Sequence, residues 1–279
     1  MNKYKFVFES AKEFLNKMFD EYKPNSTLEE HLKSETEFKK ISDANLRLIK
    51  SLANTGRMSN VIGFDRKEKE IKPILFGYDP NKILTAYKDA DELLKVFKNK
   101  FNLLDTQNRR NSWRKFSRGI ISGSVFLASF KNKDDFDNFV KNFSYNKYTK
   151  AALPMLLSKE IHGFGFALSC DFLKEIDYRD YPKPDVMLID IFYGLGLSKS
   201  KEDYEVYKSI IEMVEVVKKD DHTVDAYTVD KIFWLIGSGK LELKGNNKDK
   251  IFGKDNRKKF IESTKIKWNQ QIKKKTKTG

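Results

Sequence analysis

Apolar residues recur three and four positions apart along most of the chain, the spacing of helices with one buried face. Phe8, Phe14, Leu15, Met18, Phe19 and Tyr22 mark a first amphipathic helix, which the polar Pro24-Asn25-Ser26-Thr27 interrupts before a second helical stretch over Leu28–Ile41. A third helix starts from an N-cap at Ser42 or Asp43 and carries Leu46, Leu48, Ile49 and Leu52 on one face. Residues 65–110 read as a charged loop, a turn at Tyr78-Asp79-Pro80, and a helix from Ile83 to Phe97. Ile120–Phe130 is apolar and rich in small residues (Gly119, Ser122, Gly123, Ser124, Ala128), which predicts a closely packed central helix. Further helices are expected over Ala151–Ile161, with Pro154 in the first turn or just inside a short lead-in, over Phe166–Ile176, over Tyr204–Val217, and over Val229–Ile236, ended by Gly237-Ser238-Gly239. The expected fold class is all-α.

Composition narrows the partners. The chain has 279 residues, 39% hydrophobic and 13% aromatic, enough to bury a core in one large domain or two small ones. Against 40 Asp and Glu stand 54 Lys and Arg, a formal charge of +14 that favours an anionic partner, nucleic acid first. A genome that favours Lys codons throughout is the competing source of that charge. The basic excess is uneven: residues 244–279 hold 13 Lys and Arg against 3 Asp and Glu, a balance of +10. This segment, with its Phe260–Ile272 stretch and fraying end, reads either as a DNA-facing arm or as a solubilising terminus. The single cysteine, Cys170, excludes an internal disulfide and a four-Cys metal or iron–sulfur site, and its apolar helix makes it a core residue. The first residues carry no signal-like apolar run, and nothing approaches a membrane span of ~18 apolar residues, so a cytoplasmic protein with no membrane contact is expected.

Several stretches could carry chemistry, each with a plainer reading beside it. Arg109, Arg110, Arg114, Lys115 and Arg118 flank Trp113 and Phe116, an interleaving that suits phosphate contact with base stacking, or a solvated basic face with Trp113 in the core. The turn Asn54-Thr55-Gly56-Arg57-Met58-Ser59-Asn60 could push Asn54, Arg57 and Asn60 into a duplex, or be a loop with two capping asparagines. Asp220-Asp221-His222 reads as a solvated turn rather than a metal site. Trp234 or Phe233 could offer a flipped base a stacking surface, or fill a core.

The most informative stretch is 161–190. Two helices joined by His162-Gly163-Phe164-Gly165 present free backbone N–H groups at a helix N-terminus, an arrangement that holds a phosphate directly or through a monovalent cation. Asp185 follows Pro184 and precedes the apolar Val-Met-Leu-Ile, as a helix N-cap does.

Ile161-His162-Gly163-Phe164-Gly165-Phe166-Ala167 and Pro184-Asp185-Val186-Met187 resemble the helix-hairpin-helix and catalytic aspartate of the HhH-GPD DNA glycosylase superfamily. That family's hairpin typically reads Leu-Pro-Gly-Val-Gly-x-Lys. The 18-residue step from Ala167 to Asp185 is close to that of the oxoguanine glycosylase branch. The resemblance covers roughly residues 40–245 and implies two helical subdomains with the hairpin at their cleft; along the chain the division is an N-terminal segment 1–42, a glycosylase domain 43–243 and a basic tail 244–279. It implies a monomer acting on double-stranded DNA and needing no cofactor beyond K+ or Na+ at the hairpin. His162, Gly163, Phe164, Gly165 and Ala167, with Asn54, Arg57, Asn60 and Arg114, would contact DNA. Trp113, Phe192 and Trp234 would form the pocket for a flipped base, and Asp185 would be catalytic. One position departs from the pattern: Ala167 stands where bifunctional members carry the lysine that attacks the sugar. The implied enzyme is therefore monofunctional, with Asp185 assisting attack by water; a DNA-binding hairpin protein without catalysis, in repair or phage defence, is the alternative.

Overall fold

The computed structural model describes residues 2–33, 38–56, 58–243 and 251–278. These form fifteen α-helices and, among the described residues, no strand. In chain order they are α1 (Lys3–Tyr22), α2 (Leu28–Leu32), α3 (Ile41–Ala53), α4 (Met58–Ile62), α5 (Phe64–Ile74), α6 (Pro80–Ala86), α7 (Ala90–Phe101), α8 (Ser112–Ala128), α9 (Lys133–Asn142), α10 (Lys147–Glu160), α11 (Phe166–Glu175), α12 (Val186–Gly194), α13 (Asp203–Val217), α14 (Ala226–Ser238) and α15 (Asn256–Thr278).

The helices group into two compact units, Thr36–Tyr178 and a discontinuous one of Met1–Glu35 with Arg179–Gly279. The linear division expected from the sequence has segments 1–42, 43–243 and 244–279. In the discontinuous unit α1 packs on α13, α14 and α15, and α12 packs on all three of the same partners. The N-terminal helix therefore shares a core with the chain's last third: Phe8, Leu15, Phe192, Tyr207, Phe233 and Phe260 are fully buried. The expected basic arm is in good part a packed helix. Phe260 meets Phe14 and Phe233 edge-on, Thr264 is buried one turn on, and Trp268 lies 5.1 Å from Phe6. A stripe four residues apart seats α15 while its remaining face carries the lysines.

In the Thr36–Tyr178 unit α8 is the hub, touching α3, α4, α6, α7 and α10. The expected central helix is thus confirmed and is longer than Ile120–Phe130, because Asn111 caps it by accepting from the Trp113 and Arg114 N–H groups. Its glycines serve close packing: a Cβ on Gly123 would lie 2.6 Å from Leu48, and one on Gly119 would lie 2.6 Å from Leu52.

Other boundaries moved for local reasons. The helix expected over Leu28–Ile41 stops at Leu32, and α3 begins at Ile41, where Asp43 accepts from the Lys39 and Lys40 N–H groups instead of capping with its own backbone. The expected charged loop after residue 65 is α5, whose buried face is only Phe64 and Ile71. The expected Ile83–Phe97 helix is two helices, because Asp89 turns outward to cap α7 through the Asp91 and Glu92 N–H groups. Pro154 sits mid-helix in α10, not in its first turn, since Asn146 caps the helix two turns earlier.

Candidate nucleic-acid interface and Asp185

The helix–hairpin–helix lies within the Thr36–Tyr178 unit. α10 ends as Ile161 N–H returns to Leu157, and the tip closes with Phe164 N–H donating to Ile161 O (3.1 Å). Gly163 has φ +91°, a conformation side-chain-bearing residues rarely adopt, so glycine there is a backbone requirement. Phe164 is buried and packs on Phe172, which ties the tip to the helix behind it. Gly165 plays another part. It is the N-cap of α11, it has no side chain to accept from the first-turn amides, and a Cβ built on it would meet nothing within 4 Å. The helix N-terminus is left open, with no acidic residue in its first turn, so its amides face outward as donors.

α8 holds this hairpin in place. His162 N–H donates to Ser122 Oγ at 2.8 Å, and a Cβ on Gly119 would come within 2.8 Å of the His162 carbonyl. The His162 ring is exposed, and its pKa is held below the ordinary histidine value by partial burial and then by the charges of Arg118 and Lys115.

A cavity of about 480 Å³ opens beside the tip. Leu52 and Thr55 line it from α3 and the following turn, Met58 from the start of α4, Arg110 and Lys115 from around the start of α8, and His162 from the hairpin. Three stretches that the sequence separates thus share one cationic hollow. Of the predicted contact residues, Asn54 is exposed at the end of α3, Asn60 is exposed in α4, and Arg57 lies outside the described residues. Arg114 is placed differently from the expectation: its Nε donates to the Thr106 carbonyl and its Nη1 pairs with Asp91 at 3.1 Å, so the guanidinium is engaged within the protein. Trp113 is also corrected. It is 2% exposed and wedged among Phe97, Phe101 and Phe116, with no ring face for a base to stack on. Sequence reasoning missed Ser122 and Gly119 as hairpin supports, because neither carries a signal until α8 and the hairpin are known to touch.

Asp185 lies in the other unit. Pro182-Lys183-Pro184 leads in without helical structure, and Lys183 N–H donates to the buried Asp230 at 2.5 Å. Asp185 caps α12: its Oδ1 accepts from Met187 N–H (2.9 Å) and Leu188 N–H (3.2 Å). Oδ2 accepts no hydrogen bond from the described residues, and the side chain is half-buried. Phe192 is fully buried against Phe233, a core position rather than a pocket wall. Trp234 is half-buried with the Lys231 ammonium 5.2 Å from its ring centre. Cys170 is buried.

Asp220-Asp221-His222 is a turn in which Asp221 accepts from the Thr223 N–H and hydroxyl while Asp220 pairs with Lys5. Among the described residues no group of three or more His, Cys, Asp or Glu could hold a metal ion, and no helix is long and apolar enough to cross a membrane. Comparison with protein-family models, curated proteins and solved structures returned no match.

Proposed function

We propose that the chain is a monofunctional DNA glycosylase of the helix-hairpin-helix type, acting on double-stranded DNA. The observation that carries the reading is the α10–α11 hairpin: a tight Gly-x-Gly tip followed by a helix N-terminus without a side-chain cap, beside a hollow edged by Arg110, Lys115 and His162. Outward amides with nearby cations suit a backbone phosphate, directly or through K+ or Na+. Asp185 supplies the chemistry. With Oδ1 engaged as a cap, Oδ2 keeps an acceptor to orient a water, and the carboxylate's charge stabilises the cation that develops on the sugar as the N-glycosidic bond breaks. The water's oxygen bonds to the sugar carbon and its proton passes to the carboxylate, while the base leaves with the electron pair of the broken C–N bond and takes a proton from solvent. Ala167 cannot form a Schiff base, so no covalent intermediate with the sugar is expected.

The test is a panel of lesion-bearing duplexes assayed for abasic sites with and without alkali. The wild-type protein should generate alkali-labile sites on at least one lesion, and Asp185→Asn should lose that activity. An Asp185→Asn protein that cleaves as well as wild type would refute the catalytic role, and a borohydride-trapped adduct would refute the monofunctional one. The capping duty of Asp185 favours one second reading, a hairpin protein that binds DNA without cleaving it. It predicts salt-dependent duplex binding and no abasic sites on any duplex.

A further inference from the structure

A second groove, in the discontinuous unit, has no part in that reading. It measures about 380 Å³, within the roughly 300–1,000 Å³ typical of small-molecule sites. Lys3 enters it from the start of α1, Lys265 and Asn269 from α15, and Tyr193 and Gly196 from the end of α12 and the turn beyond, while Trp268 forms part of its wall. None of the described residues lining it is acidic, and neither lysine pairs with a carboxylate among the described residues.

The lysines have unequal duties. Lys3 donates to the Gly196 carbonyl at 3.3 Å, a bond that satisfies the turn after α12. Its pKa is held below the usual lysine range by burial and then by the charge of Lys265. Lys265 is exposed and has no such bond to make. Two ammonium groups therefore face one hollow without a counter-charge, a repulsion that a bound anion would remove. The aromatic side chains add a second requirement. Tyr193 is 45% exposed at the groove, and Trp268 meets Phe6 on one side while remaining half-exposed. Aromatic surface beside paired cations, with an amide donor and acceptor at Asn269, matches a ligand that joins a flat ring to a phosphate.

We propose that this groove binds a nucleotide, with its phosphate between Lys3 and Lys265 and its base against Trp268 and Tyr193, either free or as the unpaired end of a strand. The site stands whether or not Asp185 is catalytic.

The experiment titrates the full chain with dAMP, deoxyadenosine, inorganic phosphate and a 5′-phosphorylated oligo-dT, by calorimetry and tryptophan fluorescence. dAMP should bind and quench, deoxyadenosine and inorganic phosphate should each bind more weakly, and Trp268→Phe should remove the quench. Lys265→Glu, at an exposed position, should leave the melting temperature unchanged and weaken dAMP by about tenfold or more, as expected for loss of a charge-assisted contact. Lys3→Gln should weaken it in the same direction. Oligo-dT binding without dAMP binding, weakened in Lys265→Glu, would identify the strand end as the source of the nucleotide. Binding of dAMP and oligo-dT to Lys265→Glu as tight as to wild type, phosphate binding as tight as dAMP, or no binding by either nucleotide would overturn the proposal. Asp185→Asn should titrate like wild type, which separates this site from the glycosylase reading.

Discussion

Gly119→Ala tests whether α8 positions the hairpin. In the middle of a helix the substitution should help, since alanine is favoured over glycine by about 1 kcal/mol. Here the new methyl would lie 2.6 and 2.8 Å from the two Leu52 methyls and 2.8 Å from the His162 carbonyl oxygen. The leucine methyls are side-chain ends that can rotate; the carbonyl is hairpin backbone, tied to α8 through the His162 N–H bond to Ser122. Overpacking of this kind costs roughly 1–3 kcal/mol, so after the helix gain the net loss should be about 1 kcal/mol. Gly123→Ala is the control. The three atoms nearest its Cβ all belong to the Leu48 side chain, the closest at 2.6 Å, so it should cost less stability than Gly119→Ala and leave the hairpin where it is. Urea denaturation gives the two stabilities, and amide shifts of Gly163 and Gly165 report hairpin movement. Gly119→Ala should move both amides and weaken duplex binding, while Gly123→Ala should do neither. If Gly119→Ala stabilises the protein and leaves those amides in place, the seating of the hairpin on α8 is wrong.

Phe260→Ala should cost about 3–5 kcal/mol by urea denaturation, because the ring is fully buried against Phe14 and Phe233; a loss near zero would mean that α15 is not part of the core. Burial opposes ionisation of Asp225, but its bonds to Arg179 and Thr228 outweigh burial and depress the pKa. Its contribution to stability is therefore full above the unfolded value of about 4 and is lost as pH falls through the lower folded value, so Asp225→Asn should flatten the acid limb of a pH–stability curve. His162 has the opposite sign: its folded pKa lies below the unfolded value of about 6.5, so protonation favours the unfolded chain and stability should decline as pH drops through that value. A phosphate at the hairpin would reverse this locally, so duplex affinity should rise on acidification in the wild type and stay flat in His162→Gln.

The sequence showed the fold best where one face is densely apolar. α11 was expected over Phe166–Ile176 and runs Phe166–Glu175, and α13 was expected over Tyr204–Val217 and runs Asp203–Val217. α5 looks like a loop in the sequence because its buried face is just Phe64 and Ile71, seven residues apart in a charged run. The break at Tyr87–Asp89 was hidden by apolar spacing that continues across it, so only the cap chemistry of Asp89 marks the boundary. The packing of α1 with α15 could not be read locally at all. It pairs residues more than 200 positions apart, such as Phe14 with Phe260, and nothing in either stretch names the other.

The candidate site divides along the same line. The Gly-x-Gly tip was legible because its requirement is local: φ +91° at Gly163 and an uncapped amide row after Gly165. The hollow beside it was not, since Thr55, Arg110 and His162 meet only after folding. Asp185 was legible in two ways at once, as a cap and as a chemical group, and its two oxygens separate those roles. Oδ1 accepts from Met187 and Leu188, and Oδ2 accepts from none of the described residues. Asparagine keeps an oxygen for the cap and removes the charge, whereas alanine removes both and should cost about 1 kcal/mol of stability. If Asp185→Asn melts like wild type yet leaves no abasic sites, the lost function belongs to the free oxygen and its charge. If Asp185→Asn melts as low as Asp185→Ala, the charge of the cap itself holds α12, and activity lost with it reports structure rather than chemistry.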